Sequence, residues 1–590
     1  MNINSEYFYA CNVEQGKTCP PLISERPIDQ PRPLKLIYVG AGISGIIAAI
    51  QFRKAVPQLE LVIYEKNPEL GGTWYENNYP GCACDVPSHT YQLSFESWTE
   101  WSHFFSGSKE ILEYWKLVAQ KYDVRKYIRF NRRCVEARWN NTSRRWIMRV
   151  ENVHTRDVFE DSADVLMTGT GLLNEWKWPS VPDLQSFQGK LLHSACWDED
   201  YDSEGKNVAV VGSGSSGMQI IPALIGKVKS IDHYIRGGMW ISNQHGNHNH
   251  AGRTNTKGEN FQYTEEEKQA WRDDPSSYTK YRKELELEVQ TQYVLTQRRH
   301  NAQKTAVDRF RADMQRRLKE RPEVFNLLLP DFPPLCNRLG PAPGYLEALV
   351  SPKVKVIPEQ ITRVDKTGII TADGRHRAVD AIVCATGFEK NLGGGFPILG
   401  RNGKTLRHRF TNRPETYLGL CTDGFPNFFQ SLGPNSFQGA GNLLIMIEQI
   451  HKYVAQVLSR MAYGNIGLVE PRLSQVLNFT NYAAKYFERT VYSSDCNSWY
   501  KSAPRGATLQ QRKRGPITAL WPGSSIHAIK ALSYVRWEDF EITPYDGNEF
   551  GWFGNGWAAA ENTPDIDPDA ISWYLDRTSF LDIAQLQDKE

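Results

Sequence analysis

An α/β fold is what the sequence predicts, on three observations. A short apolar strand runs into a glycine-rich turn and a helix, and this pattern occurs twice. A second strand follows each helix, closing a β-α-β unit both times. Two further strand-to-glycine segments stand at the borders of the second unit, so the chain leaves the first unit and later returns to it.

The elements follow in order. Residues 1–33 are polar and gain Pro31 and Pro33 near their end, and read as an N-terminal extension. Leu34 to Val39 is a buried strand, Gly40-Ala41-Gly42-Ile43-Ser44-Gly45 the turn, Ile46 to Ala55 the helix, and Leu59 to Tyr64 the next strand. The pattern recurs as a strand at Asn207 to Val211, then Gly212-Ser213-Gly214-Ser215-Ser216-Gly217, a helix through Ile225, and a strand at Val228 to Ile235. Residues 245–330 change character. Asn, His and charged residues dominate there, with helix-like stretches at Lys283 to Gln297 and Thr305 to Glu320, which predicts a helical insertion. Asp164 to Gly171 precedes the second unit, and Asp380 to Phe388 ends it.

The glycine pattern carries a physical demand. Its first glycine makes a tight turn, its second lets a pyrophosphate approach the backbone, and its third lets helix and strand touch. The anion then rests on free N–H groups at the positive helix end. One such match alone is equally an ordinary glycine turn, but two copies between strand and helix point to two Rossmann-like dinucleotide-binding domains. The acceptor residues differ between them. Glu65 ends the second strand of the first unit, where a carboxylate accepts from ribose hydroxyls and repels a 2′-phosphate, as suits FAD or NAD. Arg236 stands at the matching place in the second unit, followed by Gly237, and a guanidinium there grips a 2′-phosphate, as suits NADPH. A solvated surface arginine is the alternative. The boundaries expected are 34–185 for the first part of an FAD domain, 186–198 for a link, 199–384 for an inserted NADPH domain carrying the 245–330 insertion, and 385–590 for the remainder of a discontinuous FAD domain with a C-terminal segment.

Composition narrows the function classes. Sixty-nine Lys and Arg face 67 Asp and Glu among 590 residues, a net charge of +2, which gives no electrostatic footprint for nucleic acid or an anionic membrane. The N-terminus lacks a basic head followed by an apolar stretch, so no secretory signal is expected. The densest apolar runs, such as Leu443 to Ile447, are far short of a membrane span. Ten cysteines in so long a chain do not make a disulfide framework. Cys82 and Cys84 form the one tight pair, and the expectation is reduced thiols in a cytoplasmic protein. The 17 Trp, 27 Tyr and 25 Phe serve packed cores, with a minority available to line a pocket for a flat or apolar ligand.

From about residue 34 to 555 the sequence resembles the class B flavin monooxygenases, specifically the Baeyer–Villiger type of bacteria and of fungal secondary metabolism. Phe187, Gly189, His193, Trp197 and Asp198 match the family fingerprint FxGxxxHxxxW(P/D), and His193 reads as an organiser of the link rather than a base. Gly71-Gly72-Thr73-Trp74-Tyr75 and Tyr79 to Asp85 match the loop that wraps FAD in the family. The resemblance thus implies cofactor contacts at Gly72, Thr73, Trp74, Tyr75, Ala83, Cys84, Asp85 and Tyr91, besides Gly40, Gly42, Gly45 and Glu65. It implies NADPH contacts at Gly212 through Gly217, Arg236, Gly237 and Trp499. Trp499 lies in Cys496-Asn497-Ser498-Trp499-Tyr500, similar to a late loop that folds over the nicotinamide. Asn337-Arg338-Leu339 matches the segment with the active-site arginine, so Arg338 and Asp85 are the catalytic residues implied. Many relatives carry lysine or arginine where this chain has Asn337, which weakens the argument for NADPH selectivity. Gly515-Pro516 and Trp521 to Ser524 look like the fungal members.

What the resemblance implies chemically is reduction of FAD by NADPH, uptake of O2, and a flavin peroxyanion that attacks a ketone and yields an ester or lactone. A bulky polyketide or terpenoid ketone is the expected substrate. Three other classes stand beside this reading. They are an N- or S-hydroxylating flavin monooxygenase, a dithiol–disulfide flavin reductase, and a flavin-binding sensor without turnover. Trp197-Asp198 with Arg338 speaks against the first, the CxC spacing of Cys82 and Cys84 against the second, and two intact nucleotide sites against the third.

Overall fold

A computed structural model describes residues 23–241 and 260–575, apart from 391, 412, 505 and 562. The start of the N-terminal extension, the first part of the 245–330 insertion and the end of the C-terminal segment lie outside the described residues. Two five-stranded parallel sheets organise the chain. The first runs Phe428–Gln430, Val165–Thr168, Lys35–Val39, Glu60–Tyr64, Ile128–Arg129. The second runs Val354–Ile357, Ser230–Tyr234, Asn207–Val211, Ala381–Cys384, Lys190–His193. Their central strands Lys35–Val39, Val165–Thr168, Asn207–Val211 and Ala381–Cys384 are mostly buried apolar runs, as parallel sheets require. The first sheet recruits its edge strand, Phe428–Gln430, only after the second is complete. The chain therefore builds one doubly wound layer inside the sequence of another.

The fingerprint segment departs from the expected link. Its Lys190–His193 stretch pairs with Ala381–Cys384 as the edge strand of the second sheet. Its partly exposed Lys190 and Leu191 suit an edge, where one side faces solvent. The helix expected at Lys283 to Gln297 also starts earlier than its apolar pattern indicates. Asp274 accepts hydrogen bonds from the Ser276 and Ser277 N–H groups, Pro275 takes the first helical position, and the helix spans Pro275–Thr291. A second helix covers Asn301–Arg317. The insertion packs over the first unit: the Phe104 N–H donates to the Phe261 carbonyl, and the buried His89 ring meets the Tyr278 hydroxyl at 2.7 Å.

Glycine fixes both turns. Gly40 and Gly212 sit at φ +107° and +114°, which L side chains rarely adopt. The third glycine of each motif backs onto the first: a Cβ on Gly45 would lie 2.2 Å from the Gly40 carbonyl oxygen, and one on Gly217 would lie 2.1 Å from that of Gly212. No side chain can yield there, because both partners are backbone. Gly45→Ala and Gly217→Ala are each expected to destabilise the protein by about 1–3 kcal/mol through overpacking. Thermal unfolding followed by tryptophan fluorescence checks this, and an unchanged midpoint in either variant refutes it.

Candidate active site

Each glycine turn delivers a helix whose N-terminus is bare. The Ile43–Ala55 helix starts after Gly42, and the Ser215–Leu224 helix after Gly214. Neither has a side-chain cap or an acidic residue in its first turn. Unpaired N–H groups and a positive dipole end are thus left for an anion at both places. Space is provided as well. A Cβ on Gly214 or Gly237 would meet nothing within 4 Å, and a Cβ on Gly72 would strike the Gly42 Cα at 2.9 Å. The Gly42 and Gly72 backbones form a cradle that any side chain would fill. These features fit the diphosphate of a dinucleotide.

Glu65 closes the first turn from the side. It is 4% exposed, and its carboxylate accepts from the Ala41 N–H at 2.7 Å and the Asn67 N–H at 2.8 Å. Burial pushes its pKa up, and the two N–H groups oppose that shift. Arg236 follows the Ser230–Tyr234 strand, is exposed, and forms no ion pair among the described residues. Its charge is available to a ligand.

The loop holding Gly71 to Tyr91 leaves the first unit and docks on the second. Tyr79 donates from its hydroxyl to Gln219 Oε1 at 2.7 Å, and Gln219 Nε2 donates to the Ala83 carbonyl at 3.0 Å. Gln219 lies on the helix after Gly217, so the two nucleotide folds face one cleft. Tyr79 reads only as the start of the matching loop and Gln219 is not singled out by the sequence, because nothing in a lone polar residue on a helix reveals a partner 140 positions away. Inside the loop, Thr73, Trp74 and Tyr75 lie on a short Thr73–Glu76 helix. Trp74 Nε1 donates to the Tyr91 hydroxyl at 3.2 Å. Tyr91 is forced up in pKa by burial.

At the centre of the cleft stands a bidentate ion pair. Arg338 Nε and Nη2 each donate to one oxygen of Asp85 at 2.6 Å. Asp85 holds the guanidinium well above even its ordinary pKa. Arg338 is ringed by protein, yet its side chain keeps 40% of its surface open to the cleft. The Tyr500 hydroxyl adjoins the guanidinium; burial pushes that phenol up to about 12, and Arg338 works against the shift. Trp499 packs edge-on against Phe437 at 5.6 Å and against Tyr500 at 4.6 Å. Arg236 is not part of this cluster.

His193 is fully buried and stacks on Trp176 at 4.5 Å, with Nε2 3.2 Å from the Thr386 hydroxyl. Burial lowers its pKa to about 4, so the ring is neutral at working pH. Trp197 is half-buried, and Asp198 pairs with Lys190.

The cysteines require a correction. All were expected as reduced thiols, but Cys336 and Cys496 form a disulfide, with Cα atoms 6.2 Å apart. A separation of 160 residues leaves no spacing signal for such a pair. Cys82, Cys84, Cys134, Cys196, Cys384 and Cys421 are free thiols. Burial pushes Cys82 up to about 11 and Cys84 up to about 12. Neither is the low-pKa thiolate that a dithiol reductase needs.

Two nucleotide folds around one cleft, with a fixed guanidinium between them, define a flavoprotein oxidoreductase. The family model described as flavin-binding monooxygenase-like matches residues 34–252. The FAD-binding monooxygenase tazF of Aspergillus terreus is 37% identical over 95% of this chain and 97% of its own. A Baeyer–Villiger monooxygenase of Streptomyces coelicolor is 31% identical over 86% and 92%. Among solved structures, OTEMO in complex with FAD and NADP is 25% identical with a TM-score of 0.73, covering 87% of this chain and all of that one. Oxidized steroid monooxygenase bound to NADP is 28% identical with a TM-score of 0.70, covering 87% and 99%. The chain belongs to the flavin-binding monooxygenase-like family and is an FAD- and NADP(H)-dependent monooxygenase of the Baeyer–Villiger type. Among the described residues no helix is long and apolar enough to cross a membrane.

Thiol chemistry checks the cysteine assignment. Under native conditions iodoacetamide is expected to label the exposed Cys196 at least about tenfold faster than Cys82 or Cys84, since a pKa raised by two units cuts the thiolate fraction about a hundredfold. Peptide mapping by mass spectrometry reads the ratio, and equal labelling refutes the buried state.

Proposed function

We propose that the enzyme inserts one oxygen atom beside the carbonyl of a bulky ketone, giving an ester or lactone, at the cleft organised by Asp85 and Arg338. The single observation that carries this is a guanidinium fixed by a bidentate carboxylate and still open on the cleft side. We read the first unit, through Gly40, Gly42, Gly45, Glu65 and the Gly72–Tyr91 loop, as the FAD site. The second unit, through Gly212 to Gly217, Arg236 and Gly237, is read as the NADPH site, with Trp499 covering the nicotinamide. When bound, FAD supplies oxygen activation and two-electron storage, and NADPH supplies the hydride.

The protein's own tasks are electrostatic and steric. Arg338 stays cationic at any working pH, so it stabilises the negative charge that develops during oxygen transfer to the ketone. Asp85 engages two of its donors and holds the planar fork, which leaves the remaining N–H groups for the cleft. Tyr91, Phe437, Trp499 and Tyr500 supply apolar, water-excluding walls, and that lining favours a flat polyketide or terpenoid ketone. The NADPH demand of this chemistry suits the cytoplasm.

Arg338→Ala is expected to keep its flavin and lose at least about 3 kcal/mol of transition-state stabilisation, some hundredfold in ester formation, by analogy with removal of one oxyanion donor. Arg338→Lys should recover only part, because lysine lacks the fork. Product analysis with a ketone under isotopically labelled O2 reads both variants. One labelled oxygen in the wild-type ester supports the assignment, and undiminished ester from Arg338→Ala sinks it. Arg236→Ala should raise KM for NADPH about tenfold or more while leaving KM for NADH within about twofold, the loss expected for a charged hydrogen-bond partner. Steady-state kinetics with both nucleotides decides.

A further inference from the structure

The disulfide lies where two functional loops meet. Cys336 stands two residues before Arg338, and Cys496 three residues before Trp499. Both are fully buried. Beside the covalent bridge, Asn337 Nδ2 donates to the Asn497 carbonyl at 3.4 Å. The late loop is then closed on itself by Lys501. This lysine is 2% exposed, and its ammonium donates to the backbone carbonyls of Ser494 at 2.5 Å, Lys513 at 2.6 Å and Cys496 at 3.3 Å. Its own carbonyl accepts from Lys390 Nζ. Tyr500, 1% exposed, accepts through its carbonyl from the Thr518 and Ala519 N–H groups.

A buried ammonium is costly unless every donor is met. Here two backbone oxygens of its own loop and the Lys513 carbonyl at the end of the Leu509–Lys513 helix meet all three, which fixes the shape of the loop and ties it to that helix. Desolvation lowers the Lys501 pKa to about 8. The loop is held shut from within by Lys501 and tied to the arginine segment from without by the disulfide.

We propose that Cys336, Cys496 and Lys501 are positioning residues that fasten the Trp499–Tyr500 loop onto the Arg338 loop, so that the cation and the aromatic cover of the cleft move as one body. The value of this clamp for catalysis rests on the role of Arg338 given above. Its mechanical part does not. Opening the bridge requires a dithiol: two electrons and two protons pass to the cystine, giving two thiols, while the dithiol becomes a cyclic disulfide.

The test uses the full-length holoenzyme. A non-reducing peptide map is expected to contain the Cys336–Cys496 linked peptide, and finding only free thiols there overturns the proposal. Dithiothreitol treatment of the folded enzyme, with thiol counting, is expected to raise amide hydrogen exchange in both 335–339 and 494–501 at least tenfold. Flavin content should stay unchanged. KM for NADPH should rise several-fold, and hydrogen peroxide should take a larger share of the NADPH consumed. Reoxidation should restore all three. Unchanged exchange and unchanged coupling after full reduction overturn the clamp. Because the bridge is broken after folding, a C336S/C496S variant that fails to fold does not block the test. Lys501→Met is expected to reproduce the coupling loss and Lys501→Arg to rescue most of it, whereas wild-type coupling in Lys501→Met overturns the role of the lysine. The exchange arm is independent of the chemistry of Arg338. Ester formation by Arg338→Ala would remove the functional reading and leave the clamp standing.

Discussion

The Asp85–Arg338 pair is the constraint on which the cleft depends. Asp85 belongs to a loop that departs from the first sheet, and Arg338 to a segment that follows the insertion in the second unit. The pair therefore joins the two nucleotide folds at the point where we propose that the reaction takes place. A carboxylate and a guanidinium gripping each other through two parallel bonds set both distance and plane. Either charge alone in this ringed position would be costly. Electrostatics thus adds to the packing between the two units in setting the geometry of the cleft.

The backbone prepares that arrangement. Bare helix N-termini, opened by glycine turns that no other residue fits, place positive potential at the far end of each fold. These are the ends that we propose hold the two dinucleotides. Tyr79 and Gln219 set how closely the first-unit loop approaches the second helix. A Cβ on Gly81 would run into the Gln219 carbonyl oxygen at 2.4 Å, so that approach also depends on a missing side chain. The insertion reinforces it by packing its helix against His89.

Much of this was legible in the sequence, for reasons that are local. Gly40 to Gly45 and Gly212 to Gly217 announce their turns because steric demand leaves one residue type. Glu65 and Arg236 stand just past the strand after each helix, and their opposite charges gave opposite expectations for the ligand. What stayed hidden depends on pairing across long separations. Nothing about Cys336 names Cys496 as its partner, and nothing about Lys501 distinguishes it from the other lysines until its carbonyl acceptors are seen. The strand at Lys190–His193 was hidden similarly: a four-residue edge strand has too few positions to show a period, and it acquires its identity from Ala381–Cys384. Pairing partners, not propensity, decided each of these.

The fastenings around Arg338 differ in kind, and the difference has a physical logic. Toward Asp85 the hold is ionic and bidentate, which fixes orientation while leaving the guanidinium face open for anionic charge. Toward the late loop the hold is covalent, through a buried disulfide that contributes no charge and so does not compete for the cation. Lys501 uses a third kind: its positive charge is satisfied by backbone oxygens of its own loop and of the Leu509–Lys513 helix end. Neutral acceptors around one ammonium and a neutral bridge between the loops leave the Asp85 carboxylate as the sole charged group seen to grip the guanidinium among the described residues.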